Sequence, residues 1–151
     1  MPHVFISYSS KDGAIADWLR TTLSLAGITP FLAEVDLPPG EKWKDSIMES
    51  IRQSEWVFFL ATPSSCASQP VSHEIGASLV LRKKLIPIMW KVSPKDLPPW
   101  VDDTQAVDIQ DTPRIMRLIK GIGESIKIDK FWAGVLIATF ICLTLWVLAK
   151  E

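Results

Sequence analysis

The chain has 151 residues, 48% of them hydrophobic and 22% charged, with a formal net charge of −1. That balance supplies no basic field for nucleic acid and no acidic tail, so charge points to no nucleic-acid partner. Cys66 and Cys142 lie in segments of very different character, so no structural disulfide is expected and the usage suits a reducing compartment.

Met1-Pro2-His3-Val4 has no basic n-region, so no signal peptide is read there. His3 to Tyr8 is a short β-rich run, and the polar Ser9-Ser10-Lys11-Asp12 after it can cap a helix. Ile15, Trp18, Leu19, Thr22, Leu23 and Ala26 then share one helical face, which Gly27 ends. Ile28 to Ala33 reads as a second strand with Pro30 in its first half. Glu34 to Lys42 carries Pro38-Pro39-Gly40 and must be a loop. Trp43, Ile47, Met48 and Ile51 mark a second amphipathic helix.

Trp56 to Ala61 is apolar on both faces, as a buried parallel strand requires. A loop, Thr62 to Gln69, leads into a helix entered near Pro70, a residue tolerated in a first turn. Val71, Ile75 and Leu79 are expected on its buried side, and Arg82-Lys83-Lys84 would close it against the dipole. Leu85 to Met89 is the next strand, where Pro87 argues for an edge position or a bulge. Lys91 to Asp103 is Pro-rich and irregular, and Ala106 to Ile109 is a last short strand. Ile115, Leu118, Ile119, Ile122 and Ile126 give a final amphipathic helix. This order predicts one α/β domain over 1–127. The fold is flavodoxin-like, a five-stranded parallel sheet with helices on both faces and right-handed crossovers.

Phe131 to Ala149 runs nineteen residues without a charged side chain. As a helix it would span roughly 28 Å, close to the ~30 Å hydrocarbon core of a bilayer. Trp132 and Trp146 sit near its ends, and Lys130 and Lys150 can snorkel to the interfaces. The expectation is a C-terminal, single-pass membrane anchor at 131–149. Lys120, Lys127 and Lys130 before it, against Lys150 after it, favour the domain on the cytoplasmic side.

In such a sheet ligands bind beyond the carboxyl ends of the strands. Those loops are Ser9–Asp12, Glu34–Lys42 and Thr62–Gln69. No glycine-rich phosphate loop and no G-x-S-x-G elbow occurs, and His3 and His73 are too far apart in sequence to suggest a metal pair. A two-component receiver needs an acidic pair after its first strand and an aspartate after its third; those places hold Ser9-Ser10 and Ala61-Thr62, which excludes it. Glu74 adjoins Ile75, with Val71 a turn before it and Ser78 a turn after. It should lie at the edge of the buried stripe, in the first turn or so, partly desolvated and favoured by the helix N-terminus. Spacing alone leaves it either a functional carboxylate or a complement to the dipole, and leaves Trp43 either a core residue or a ligand contact.

Val4-Phe-Ile-Ser-Tyr-Ser-Ser-Lys-Asp12 resembles the first box of Toll/interleukin-1 receptor (TIR) domains. Asp36-Leu-Pro-Pro-Gly40 with Trp43 resembles their second box. Trp56 to Pro63, Ser64-Ser65-Cys66 and Val71-Ser-His-Glu-Ile75 resemble the third strand, loop and helix of the family. The match runs in order over roughly 3–126, and the short form and Pro-Gly loop look more prokaryotic than animal. Many TIR domains cleave NAD⁺ at the nicotinamide–ribose bond, using a glutamate in the helix after the third strand. The resemblance implies that Glu74 is that catalytic residue, binding the ribose hydroxyls and stabilising an oxocarbenium-like transition state. It implies Ser9 and Ser10 near phosphate or ribose, with Asp36 and Trp43 shaping the other wall. NAD⁺ would be substrate, with no resident cofactor and no metal. Enzymatic members often carry Trp four residues before the glutamate, where this chain has Pro70. Three functions are therefore expected in order, the first two being an anchored NAD⁺ glycohydrolase or cyclase in antiphage defence signalling or NAD⁺ depletion, and a non-catalytic module that assembles with other TIR domains. A nucleoside-processing enzyme of related fold is the third.

Overall fold

Period-two alternation in three apolar strands decides the architecture, because each strand sends side chains to two faces and both must be covered. The computed structural model describes residues 3–32, 43–101 and 106–126. The strands are β1 (Val4–Ser7), β2 (Pro30–Leu32), β3 (Trp56–Ala61), β4 (Lys84–Met89) and β5 (Val107–Asp108). They form one parallel sheet of order β2-β1-β3-β4-β5. Helices α1 (Gly13–Leu25), α2 (Trp43–Gln53), a short α3 (Pro63–Cys66), α4 (Gln69–Val80) and α5 (112–126) connect and cover it. The α/β, flavodoxin-like expectation is met.

Val4, Ile6, Phe58, Leu60 and Ile88 face one way, onto Ala16, Leu19 and Leu23 of α1 and Ile115, Ile119 and Ile122 of α5. Phe5, Val57, Phe59, Leu85 and Met89 face the other way, onto Ile51 of α2 and Val71 and Ile75 of α4. Ser7 continues the second set by alternation, and is wholly buried. Gly27 takes φ +77° just after α1, the left-handed turn that ends a helix without a Cβ clash.

Four expectations are corrected. In α1 the buried stripe is Ala16, Leu19 and Leu23, and Trp18 (45% exposed) and Ala26 lie outside it. In α4 it is Val71, Ile75 and Ser78, while Leu79 is 42% exposed. Four-residue steps overshoot a 3.6-residue turn by about 40° each, so a second step carries Leu79 off the sheet. Arg82-Lys83-Lys84 does not close α4: Arg82 turns with φ 52°, and Lys84 already belongs to β4, paired with Glu55.

The last correction concerns Pro87, which sits in a strand paired on both sides. The Lys84 N–H donates to the Glu55 carbonyl just before β3 and the Trp90 N–H to Ala61 of β3, so the odd positions point away from that strand. Pro87 therefore faces the β5 side, where pairing begins only at Ile88, and its missing N–H breaks no bond to β3. Pro30 opens the edge strand β2 and shortens the expected 28–33 run. The expected loop at 34–42 and membrane helix at 131–149 lie outside the described residues. Among the described residues no helix is long and apolar enough to cross a membrane.

The stripe in α4 is testable by contrast. Ile75→Ala should cost about 2–5 kcal/mol of unfolding free energy, and Leu79→Ala less than about 1 kcal/mol, in urea titrations. Equal losses would contradict this placement.

Candidate functional site

The order β2-β1-β3 makes β1 the strand at which the chain reverses its direction across the sheet, so the loops after β1 and β3 flank a crevice. A cleft of ≈ 480 Å³ opens there, lined by Ser9 and Lys11 from the first loop and Pro63, Ser64, Ala67 and Ser68 from the second. Ser9 caps a 3-10 turn, Ser10–Asp12, by accepting from the Lys11 N–H at 3.4 Å. The Thr62 hydroxyl, buried, donates to Asp12 Oδ2 at 2.5 Å and so ties the two loops together. Thr62 also caps α3: its Oγ1 accepts from Ser65 N–H at 3.0 Å, and its own N–H donates to Ser65 Oγ at 2.8 Å. Ser65 in turn donates to the Leu60 carbonyl at 2.5 Å. The sequence reading took Thr62 to Gln69 as plain loop, although Thr62 before Pro63 with Ser65 at the third helical position carries the capping signal.

Glu74 is half-buried in the second turn of α4, which Ser68 caps by accepting from Val71 N–H at 3.5 Å. That lies beyond the first turn, within which the helix dipole acts. A side chain reaches the carboxylate instead: Ser7 Oγ donates to Glu74 Oε2 at 2.5 Å, across 67 residues of sequence. Ser78, expected to leave room beside Glu74, is fully buried and donates to the Ile75 carbonyl at 2.7 Å. Sequence reasoning missed Ser7 and Asp12. The signal for Ser7 was a serine at an inward position of the apolar run Val4-Phe-Ile-Ser7, which needs a polar partner.

Of the residues expected at the site, Ser9 lines the cleft, Ser10 is exposed beside it, and Glu74 meets the carboxyl end of β1. Glu74 is not among the described residues lining the cleft. Asp36 lies outside the described residues; Trp43 opens α2, and its side chain lies outside them too. Among the described residues no group of three metal-ligating side chains occurs. Cys66, at the end of α3, has its thiol pushed up by burial and secondarily by the charge of Asp96. Asp96 itself is held below the usual carboxylate range by the side-chain and backbone hydrogen bonds of Ser93.

A sequence model described as TIR domain matches residues 4–119. The chain belongs to the TIR domain family. It is similar to a Brachypodium distachyon protein named probable 2′ cyclic ADP-D-ribose synthase BdTIR, with 30% identity over 115 residues. That alignment covers 74% of this chain and 51% of the relative, so the chain spans about half the relative's length. Among solved structures, the TIR domain of the Toll-related receptor TRR-2 of Hydra magnipapillata is 21% identical and superposes with a TM-score of 0.69. It covers 80% of this chain and 99% of that one, and shows the fold. A metazoan TIR-STING receptor from C. gigas is 25% identical with a TM-score of 0.69, over 82% of this chain and 39% of the receptor.

The raised thiol makes Cys66 a poor nucleophile near neutral pH. Alkylation by iodoacetamide at pH 7.5, followed by peptide mass, should be slower at Cys66 than in a free cysteine peptide. Asp96→Asn should quicken it, though less than unfolding the protein does. Alkylation in the folded protein as fast as in the peptide would contradict the shift.

Proposed function

We propose that this TIR domain cleaves NAD⁺ at the nicotinamide–ribose bond, with Glu74 as the catalytic carboxylate. The observation that carries the reading is the placement of Glu74. It is half-buried on α4, hydrogen-bonded at 2.5 Å to the carboxyl end of β1, and stands where the family resemblance sets the catalytic glutamate. The cyclic ADP-ribose synthase named among the relatives supports the same chemistry.

In the proposed reaction the C1′–N bond breaks and nicotinamide leaves with the bonding electron pair. Positive charge then develops on the ribose ring. A fixed carboxylate beside that charge stabilises the transition state more than the ground state, the condition for catalysis. Water attacking C1′ gives ADP-ribose and a proton; a hydroxyl or ring nitrogen of the same molecule attacking gives a cyclic ADP-ribose, one water short of ADP-ribose, and likewise releases a proton. Ser9, Ser10, Asp36 and Trp43 are proposed to bind the rest of the substrate, with the Trp43 indole as the stacking surface in place of the tryptophan that Pro70 replaces.

The domain, proposed as 1–127, would be held at the cytoplasmic face of a membrane by 131–149. A prokaryotic-type member in antiphage signalling or NAD⁺ depletion is the matching role. Confinement to a surface raises the effective concentration of domains and favours self-assembly with other TIR domains. The second reading, a non-catalytic assembly module, is favoured by Pro70.

Nicotinamide release by the full chain in liposomes, beside Glu74→Ala with its fold verified, tests the proposal. Glu74→Ala should lower turnover about 10²-fold or more. No release by the wild type, even when densely packed, would favour the assembly module. Turnover per molecule should also rise as the protein-to-lipid ratio is raised; a flat response would remove clustering as the switch.

A further inference from the structure

We infer that Ser7 is a positioning residue for Glu74, holding its carboxylate in one orientation through the hydroxyl at the end of β1. The inference rests on the proposed role of Glu74 and adds the residue that makes that role sterically defined. Two observations and the cost of burying a hydroxyl carry it. Ser7 is wholly buried on a face otherwise built from Phe5, Val57, Phe59 and Ala61. A hydroxyl there is costly unless it is paired, while alanine would fill the place without that requirement. Its proton goes to Glu74 Oε2 at 2.5 Å, within the range of charge-assisted bonds.

The donor is also rigid. β1 is hydrogen-bonded to β2 and to β3, and Ser7 lies opposite Phe59 in the register. A glutamate has three side-chain torsions, and one carboxylate oxygen held by a fixed strand removes most of that freedom before substrate arrives. The same pair could be taken for a serine nucleophile with a carboxylate base. Complete burial of Ser7 argues against that, because its oxygen has no path to a substrate carbon. Its action therefore passes through Glu74.

The experiment compares wild type, Ser7→Ala, Ser7→Thr, Ser7→Cys and Glu74→Ala as full chains in liposomes. It reads kcat and KM for nicotinamide release, the thermal midpoint, and the Glu74 carboxylate band in isotope-edited infrared difference spectra. Ser7→Ala should lose about tenfold to a hundredfold in kcat with KM within about threefold, as misorientation of a reacting group requires. Ser7→Thr, which restores the hydroxyl, should recover most of the loss. The Glu74 band should move in Ser7→Ala whether or not NAD⁺ is the substrate, which separates this inference from the reading of the reaction. If Ser7→Ala does not fold, Ser7→Cys keeps the volume with a weak donor and should show the same kcat loss. A kcat within about twofold of wild type, or an unmoved band, overturns the inference even if Glu74→Ala is inactive. Full activity in Glu74→Ala overturns both.

Discussion

The pairing of β1 with β3 is the constraint on which the rest of the molecule depends. Val4, Phe5, Ile6 and Ser7 lie opposite Trp56, Val57, Phe58 and Phe59, two apolar strands from distant parts of the chain in one register. A slip of one residue would exchange the faces, sending Ile6 toward α4 and Phe5 toward α1. The register therefore fixes both cores at once, and it fixes Ser7 on the α4 side. Because β2 lies on the other flank of β1, the same pairing brings the loops after β1 and β3 together. The Asp12–Thr62 bond and the Ser7–Glu74 bond are both consequences of that neighbourhood.

Much of this fold could be read from the chain, and the reasons are local. The run Trp56 to Ala61 has no polar residue to limit it to one face, and it became the central β3. Gly27 is a stop signal whose positive φ the structure requires. Leu79 and Trp18 were misplaced for a physical reason: a helical face is a sector, and residue size says nothing of where its edge falls. Large apolar groups at that edge are tolerated in water, so composition alone could not assign them. Pro87 misled because a proline's effect depends on which neighbour its nitrogen faces, and that is set by pairing parity.

The site was legible in part. Glu74 stood out because a carboxylate beside Ile75 at the margin of a buried stripe conflicts with the apolar pattern. Its partner was hidden, since nothing within a few residues of either Ser7 or Glu74 points to the other; the bond closes over 67 residues through tertiary structure. The clasp of Asp12 with Thr62 was hidden for the same reason. Ser7, Thr62 and Ser65 are buried polar side chains at the carboxyl edge of the sheet, and each finds its acceptor in the fold. Two further buried serines, Ser54 and Ser78, bond backbone carbonyls of α2 and α4 away from that edge.

The commitment of these side chains also narrows the chemistry. A covalent mechanism needs a nucleophile with a free lone pair and an open approach. Ser65 is buried and donates to a backbone carbonyl, Ser9 caps a turn, and Ser7 is sealed beneath Glu74. Cys66 has its thiol pushed up, which keeps it protonated near neutral pH. Under the proposed function the acting group is the Glu74 carboxylate, oriented by a strand rather than by a loop. A carboxylate does most where positive charge builds on a substrate whose leaving group departs on its own account. Rupture of a pyridinium glycosidic bond, the proposed reaction, is of that kind: nicotinamide would leave neutral, and Glu74 would hold negative charge in place against the ribose cation. On this reasoning the stiffness of the Ser7–Glu74 pair matters more than its basicity, because stabilisation of that cation falls with distance and with every torsion left free.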